Sequence, residues 1–584
     1  MKRAMLWLCL GACAGSDDKD TTADATDTDT DGDSDADGDS DADADSDADA
    51  DSDADADSDT DSDTDPSGST GDTGADPLDW PNDDGRFGTP TDTFVLPLTD
   101  GVGGYYPDLQ ATFPKVDWST LDRLYLPAGH YPFLSLGNLP DRDPSDPLVI
   151  TNQGGQVRIG ALDHYYLFVI NGGSNWVLTG DYDPVSLTGD AAFPGHRDGA
   201  FAGSAGTYGI LIDDQFVRDG NSGLGIGGGA TDFEVDFVEI TEVEFAGLLM
   251  KTDNDGDAVM SNVRLHDLYI HDTGSEGMYI GSTQAQPQHT IDDLSIWNCR
   301  VVRTGTEAIQ LGQLMGHTDV HHNVIGPGAV DWRASFQLYQ DNNLQIGYRG
   351  GRVDLHHNVI LGSAGSMFSM FAAQIAGDDT MGNEGVYVTD NYVAGMRGLG
   401  AYLNNVTLPD MPIAVERNVF REAQFERDQL HPTEVAPGHL WRDGGTTTPV
   451  SFIDNTWEGT VDLSNELADG NGANGDTSGS GNVNGPVEVV AFVDSTMPED
   501  VLDLEMWTAT AELGDGSGVP YDLGDVVTHE GLPYECLLDP CPAGDVPPDE
   551  PGTWQALAAF PDDLRVLPGT AYEGLGLSAT ASGP

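Results

Sequence analysis

Two stretches laid one under the other decide the architecture: V-R-L-H-D-L-Y-I-H-D-T-G-S-E-G-M-Y-I-G over 263–281 and L-S-I-W-N-C-R-V-V-R-T-G-T-E-A-I-Q-L-G over 294–312. Each holds three short apolar runs separated by Gly, Asn, Asp and Thr. Shorter versions return as V-D-L-H-H-N-V-I-L-G-S-A-G (353–365), V-Y-V-T-D-N-Y-V-A-G-M-R-G (386–398), I-A-V-E-R-N-V-F (413–420) and V-S-F-I-D-N-T-W (450–457). An Asn recurs at 298, 323, 358, 391, 418 and 455, with Asp267 in the equivalent place, at spacings of 31, 25, 35, 33, 27 and 37. Self-similarity at such a period marks a solenoid. One rung has too little apolar surface to fold alone, and stacking buries a continuous core of Ile, Val and Leu. Asn tolerates a left-handed corner and bonds its own backbone, so the recurring Asn predicts an amide ladder inside an all-β coil.

These rungs resemble the right-handed parallel β-helix repeat family, the pectate-lyase-like solenoid. L-Y-L-P-A-G-H-Y (124–131) resembles the family's opening rung, and L-V-I-T-N-Q-G-G (148–155) and E-I-T-E-V-E-F-A-G-L-L-M-K-T (239–252) are similar to its later ones. The resemblance covers about 94–480 and implies a single-stranded right-handed parallel β-helix over 79–486. It leaves the chemistry open, because the family's coil carries lyases, hydrolases, epimerases and inert adhesins.

The chain has 584 residues, 100 Asp+Glu against 23 Lys+Arg, and a formal charge of −77. That balance excludes recognition of nucleic acid through its phosphates and adhesion to an anionic membrane by a basic patch. Residues 17–65 hold 24 Asp and one Lys, with no aromatic residue and no aliphatic larger than Ala. Such a segment cannot bury enough apolar surface to order itself, so 14–78 reads as a self-repelling tether. Without 17–65, Lys2 and Arg3, the remainder still has 76 acidic and 20 basic residues. Calcium is the one cofactor this charge suggests. Asp27, Asp29, Asp31 and Gly32 spell the opening of a calcium loop, but no Glu closes it.

Lys2 and Arg3 precede an apolar run, Ala4 to Leu10, too short to span a bilayer and suited to an export signal. Leu10-Gly11-Ala12-Cys13 resembles the lipobox of bacterial lipoproteins. The resemblance implies a signal over 1–13, lipidation of Cys13, and an outer-membrane lipoprotein facing the cell surface; a plain signal would give a secreted protein.

Aligning the rungs gives columns about 4.8 Å apart. Met278 and Ile280 fall over Ile309 and Leu311 and point inward. The outward column then reads Leu249, Tyr279, Gln310, Gln337, and its neighbour Lys251, Gly281, Gly312, Tyr339. Glu276 stacks on Glu307 and Asp272 on Arg303. A face of Lys, Tyr, Gln and acids suits an extended sugar chain. Two stacked carboxylates about 5 Å apart fit retaining glycoside hydrolysis, and their proximity raises one pKa. A capping or calcium-holding pair is the competing role for them. Lys251, His271, Arg303 or Arg333 fit the base and cations of β-elimination from a uronate, while Lys251 paired with Asp253 or Asp272 is the plain structural alternative. His321-His322 and His356-His357 read as stacked, solvated imidazoles rather than zinc ligands, since neighbours in a strand face opposite ways. Cys299 reads as buried and inert, and no metal ligand set is nominated.

From Trp507 to Leu557 the text changes. It resembles the small chitin-binding carbohydrate modules of families five and twelve. Their sugar-stacking aromatics would be Trp507, Tyr521, Tyr534 and Trp554, and the alternative is that these rings form the module's core. Cys536 and Cys541 can close a small disulfide loop in an exported protein. The module occupies 487–560, between the coil and Pro561–Gly569, which looks like a closing strand; 561–584 ends the chain. The reading is an exported, monomeric protein that binds and cleaves a polysaccharide as a glycoside hydrolase, with a polysaccharide lyase and a non-catalytic surface glycan-binding adhesin as alternatives.

Overall fold

The rungs pair in the register of the two aligned stretches. Val263 lies beside Leu294, Leu265 beside Ile296 and His266 beside Trp297. Ile270 lies beside Val301, and Met278, Tyr279 and Ile280 beside Ile309, Gln310 and Leu311. The computed structural model describes residues 90–577 apart from 162–164, 181–204, 214–220, 253–254, 283–287, 332–339, 341, 364–366, 375–377, 379–381, 397–400, 405, 407, 409, 422–439, 444–447, 459–476, 495–504, 507–520, 522 and 543–544. The export signal, Cys13 and the Asp-rich tether lie outside the described residues, as do Asp253, Arg333, Gln337, Tyr339 and Trp507.

Among the described residues, thirty-three strands, from Thr93–Val95 to Val483–Asn484, form one continuous parallel sheet. One turn runs Val259–His266, Tyr269–Thr273, Met278–Ile280. The next runs Thr290–Trp297, Arg300–Thr304 and the start of Ile309–His321. This is a parallel β-helix, in the right-handed sense that parallel crossovers take. Alternation sends Phe233, Val235, Val263, Leu265, Leu294, Ile296, Met278, Ile280, Ile309 and Leu311 into one continuous core. The one α-helix among the described residues is Leu109–Thr112, capped by Asp108. It gives its Leu109 to the same core. No described helix is long and apolar enough to cross a membrane.

The amide ladder forms, but one residue out of the expected place at its start. The Oδ1 of Asn358 accepts from the N–H and Nδ2 of Asn323, each at 3.0 Å. The same exchange continues from Asn358 to Asn391, to Asn418, to Asn455 and on to Asn482. Each Nδ2 also reaches a strand carbonyl, as Asn391 reaches Leu355 O at 2.8 Å. Asn298 and Asp267 are not in this column. Cys299 holds the place and donates its N–H to Asn323 Oδ1; its thiol is free and buried. The left-handed step belongs to the residue before the ladder: Asp267, Asn298, His322, His357, Asp390, Arg417 and Asp454 all have φ between 53° and 56°. Aligning on Asn therefore mixed the corner column with the ladder column.

The C-terminal chain does not close the coil. Val566, within the expected closing strand, bridges Phe492 antiparallel. With Val490, Leu564 and Leu577 these residues pack on Tyr269, Val302, Val324, Val359 and Tyr392, along the outside of the second strand stack. Between the two passes, Val526–His529, Leu532–Cys536 and Trp554–Ala556 form a small antiparallel sheet, with Glu505–Met506 added parallel. A disulfide joins Cys536 to Cys541.

The ladder Asn residues from 323 to 455 are buried and multiply bonded, and orphaning a buried polar group costs about 1–3 kcal/mol. Asn391→Ala is expected to lower stability by about 3 kcal/mol in urea unfolding, and Asn482→Ala, at the ladder's end, by clearly less.

Candidate functional site

Glu276 and Glu307 occupy the same position of successive rungs. Gly277 N–H donates to Glu307 O at 3.1 Å, which fixes the stacking. Gly277 is required there: a Cβ would lie 2.3 Å from Val301 Cγ1 and 2.6 Å from Ala308 O. Both glutamates are covered, Glu276 at 2% and Glu307 at 0% exposure. Gln345 Nε2 donates to Glu307 Oε1 at 3.2 Å, Ser275 Oγ donates to Glu276 Oε2 at 2.7 Å, and the charge of Lys251 acts on Glu276. Burial raises the Glu276 pKa above the ordinary carboxyl range, and the Ser275 bond and Lys251 offset only part of this. Lys251 Nζ lies 5.1 Å from the Tyr279 ring centroid.

The outward column runs Leu249, Tyr279, Gln310, Gln345. Gln345, not Gln337, pairs with Gln310, because the chain makes an insertion before Leu344–Tyr348 that sequence alignment threaded as strand. Gln337 and Tyr339, assigned to these columns from sequence, lie outside the described residues. The column is also no open groove: Tyr279, Gln310 and Gln345 are at most 7% exposed. Leu249, Tyr279, Ala246 and Phe245 pack together over the outer face.

His271, Asp272 and Arg303 come together, but in a second network. Arg303 grips Asp272 through Nε (2.9 Å) and Nη2 (2.8 Å). His271 meets Asp272 Oδ2 through Nδ1 at 2.6 Å and Glu239 Oε1 through Nε2 at 3.2 Å. Burial works against ionising Asp272, yet Arg303 and His271 outweigh it and hold its carboxyl far below the usual range. Burial likewise works against the His271 imidazolium, and Asp272 and Glu239 keep its pKa raised. Phe560 lies over the Arg303 guanidinium at 4.4 Å. Arg300 donates to Tyr208 Oη and Asp562 O. The C-terminal pass thus seals this network, which corrects the expectation that these three residues face substrate.

The paired histidines also differ from expectation. The left-handed corners at His322 and His357 break strand alternation, so both rings of each pair meet: His321 Nδ1 and His322 Nδ1 are 2.8 Å apart, as are those of His356 and His357. The rings stack between rungs at 5.1 Å, His321 on His356 and His322 on His357. They are not all solvated, since His321 is buried. Asp319 meets His356 Nε2 at 3.0 Å.

In the C-terminal module Tyr521, Tyr534 and Trp554 are not sugar platforms. They form the core with Val527, Cys536 and Cys541.

Sequence reasoning passed over Glu234, Asp236 and His266. Among the described residues they form the one trio whose ligand atoms could share a metal ion. Acids at i and i+2 of one strand with a His paired in the next rung was the available signal. Burial disfavours the charged His266 imidazole, but bonds to Asp267 and Glu234 outweigh it and raise its pKa to about 10.

No family model and no curated protein matches the chain. Solved structures do. It is similar to the pectate lyase Pel9A (12% identity, 62% of this chain and 82% of that one, TM-score 0.37). It is also similar to the alginate lyase from Paenibacillus sp. str. FPU-7 (14%, 67% and 99%, TM-score 0.34) and to the A-module of the Azotobacter vinelandii mannuronan C-5 epimerase AlgE6 (15%, 67% and 98%, TM-score 0.25). The fold itself stands on the register of this chain's own strands.

Burial, followed by the charges of His321, His357 and His356, pushes the His322 pKa down to about 3. A depressed histidine pKa means that the unfolded chain binds the proton first, so stability is present above about pH 6.5 and is lost as pH falls toward 3. His322→Asn keeps a residue that tolerates the left-handed corner. Its thermal midpoint is expected to fall less than that of the wild type between pH 7 and pH 4; parallel curves would refute the assignment.

Proposed function

We propose that this protein is an exported carbohydrate-active β-helix protein that cleaves a polysaccharide by hydrolysis, with Glu276 and Glu307 at the reacting bond. The observation that carries the reading is the stacked glutamate pair, in which burial keeps Glu276 protonated more readily than an ordinary carboxyl. Backbones one rung apart, about 4.8 Å, allow the two carboxyl groups to approach the roughly 5 Å spacing of retaining glycosidases. Glu276 donates its proton to the glycosidic oxygen as that bond breaks. Glu307, oriented by Gln345, attacks the anomeric carbon. Water, deprotonated by Glu276, then displaces Glu307 and restores both groups. Part-exposed Ser275 links Glu276 to the surface and to Thr306.

A second reading is favoured by the contact between Lys251 and Tyr279. In β-elimination from a uronate, Lys251 removes the proton α to the carboxylate and the Tyr279 phenol protonates the leaving oxygen. A glycan-binding adhesin is the third. The sugar contacts are assigned to the coil and to Trp507, since the other three module aromatics are core.

The full chain is to be incubated with a polysaccharide panel including chitin and uronate polymers, with and without calcium, following reducing ends and unsaturated-uronate absorbance. Reducing ends without absorbance are expected, with Glu276→Gln and Glu307→Gln each lowering kcat at least ~10²-fold. Both signals, lost in Lys251→Ala, would establish elimination instead. Silence with retention on an insoluble glycan would leave a binding protein.

We also propose that the chain is a lipid-anchored protein of the outer membrane. A fatty-acid label is expected in the wild type and not in Cys13→Ser; equal labelling would refute this.

A further inference from the structure

We propose that Glu234, Asp236 and His266 form a binding site for a divalent transition-metal ion of the zinc class, bolting two rungs of the coil together. Glu234 and Asp236 lie two apart on the strand Thr231–Asp236, so both project from its outer face. His266 is the parallel partner of Asp236 on the next rung and projects beside it. Phe233, Val235, Val263 and Leu265, the inward neighbours, are locked in the core. The trio therefore sits on rigid elements, as a preorganised site requires.

The spacing fits a metal. His266 Nε2 lies 3.1 Å from Glu234 Oε1 and 3.6 Å from Asp236 Oδ2. All three ligand atoms fall within 4.8 Å of one another. Bonds of about 2.0–2.2 Å at tetrahedral or octahedral angles put neighbouring donors roughly 3–3.5 Å apart. The three side chains are almost wholly buried, so an ion held there would exchange slowly.

The histidine is also oriented as a ligand. Its Nδ1 is engaged by Asp267 Oδ2 at 2.5 Å, and Asn298 Nδ2 holds the other oxygen of Asp267. The left-handed corner at Asp267 turns its side chain back onto the ring. Trp297 stacks on the imidazole at 4.2 Å and fixes its plane. A carboxylate behind the ring leaves Nε2 facing the two acids, the outer-shell arrangement of ligating histidines. One nitrogen with two carboxylates suits zinc, cobalt or manganese and not calcium, which takes oxygen ligands alone.

With 24 Asp in residues 17–65, the test has to separate tight binding from loose attraction of cations to that charge. The full-length protein is loaded with Zn²⁺, dialysed against millimolar Ca²⁺ and Mg²⁺, and its zinc content measured, with Co²⁺ absorption as a second readout. One retained Zn²⁺ per chain is expected in the wild type, and none in His266→Gln or Glu234→Gln. Asp267→Asn keeps all three ligands and is expected to weaken zinc binding by about 10–100-fold, which keeps the test decisive if a ligand variant does not fold. Three outcomes overturn the proposal: no retained zinc in the wild type, where a protonated His266 then supplies the positive charge; equal retention in wild type and variants; or displacement of zinc by calcium.

Discussion

From Asp267 to Asp454 the first corner of each turn is one left-handed step, and from Asn323 onward the amide that follows the step ties that corner to the next rung. The step recurs at Asp267, Asn298, His322, His357, Asp390, Arg417 and Asp454. Because the corner residue's side chain leaves the strand's alternation, it meets its counterpart one rung away. Hence Asn298 bonds Asp267, His322 stacks on His357 and Arg417 grips Asp390. A second left-handed column, Glu242, Asp272 and Arg303, does the same at the next corner. The polar contacts between rungs concentrate where the backbone turns, and the apolar ones where it runs straight.

That division explains what was legible in the sequence. Straight segments obey period two, so the inward column Met278–Ile309 and the outward column Tyr279–Gln310 could be read directly. Corners do not. Alignment on a conspicuous Asn placed Asn298 one position off, and alternation wrongly separated His321 from His322. Insertions defeat alignment in another way: the residues between Asp331 and Leu344 resemble strand text, so Gln337 was taken for the residue that Gln345 proves to be. The stacking of Glu276 on Glu307 survived because a glycine or alanine follows each at the same step.

Outward did not mean exposed. Tyr279, Gln310 and His271 all leave the coil's interior, yet each is covered. A solenoid this acidic gains from placing its few cations under cover, where Arg303 and Arg300 meet carboxylate, phenol and carbonyl partners instead of water. Buried ion pairs of this kind add little net stability over an apolar packing, but removing one partner is costly. Burial raises the pKa of Glu276, whereas at Asp272 the Arg303 guanidinium outweighs it.

The C-terminal pass carries a consequence for how the molecule is made. Coils of stacked repeats hold mainly neighbour-to-neighbour contacts and can zip up as the chain emerges. Here the Tyr269 hydroxyl, which meets Arg303 of the next rung, also donates to Asp562, 293 residues further on. The rungs can therefore form early while one flank stays bare until the last stretch is synthesised. That late strap joins rungs that otherwise meet only their neighbours, so a chain of local steps ends as one cooperative unit.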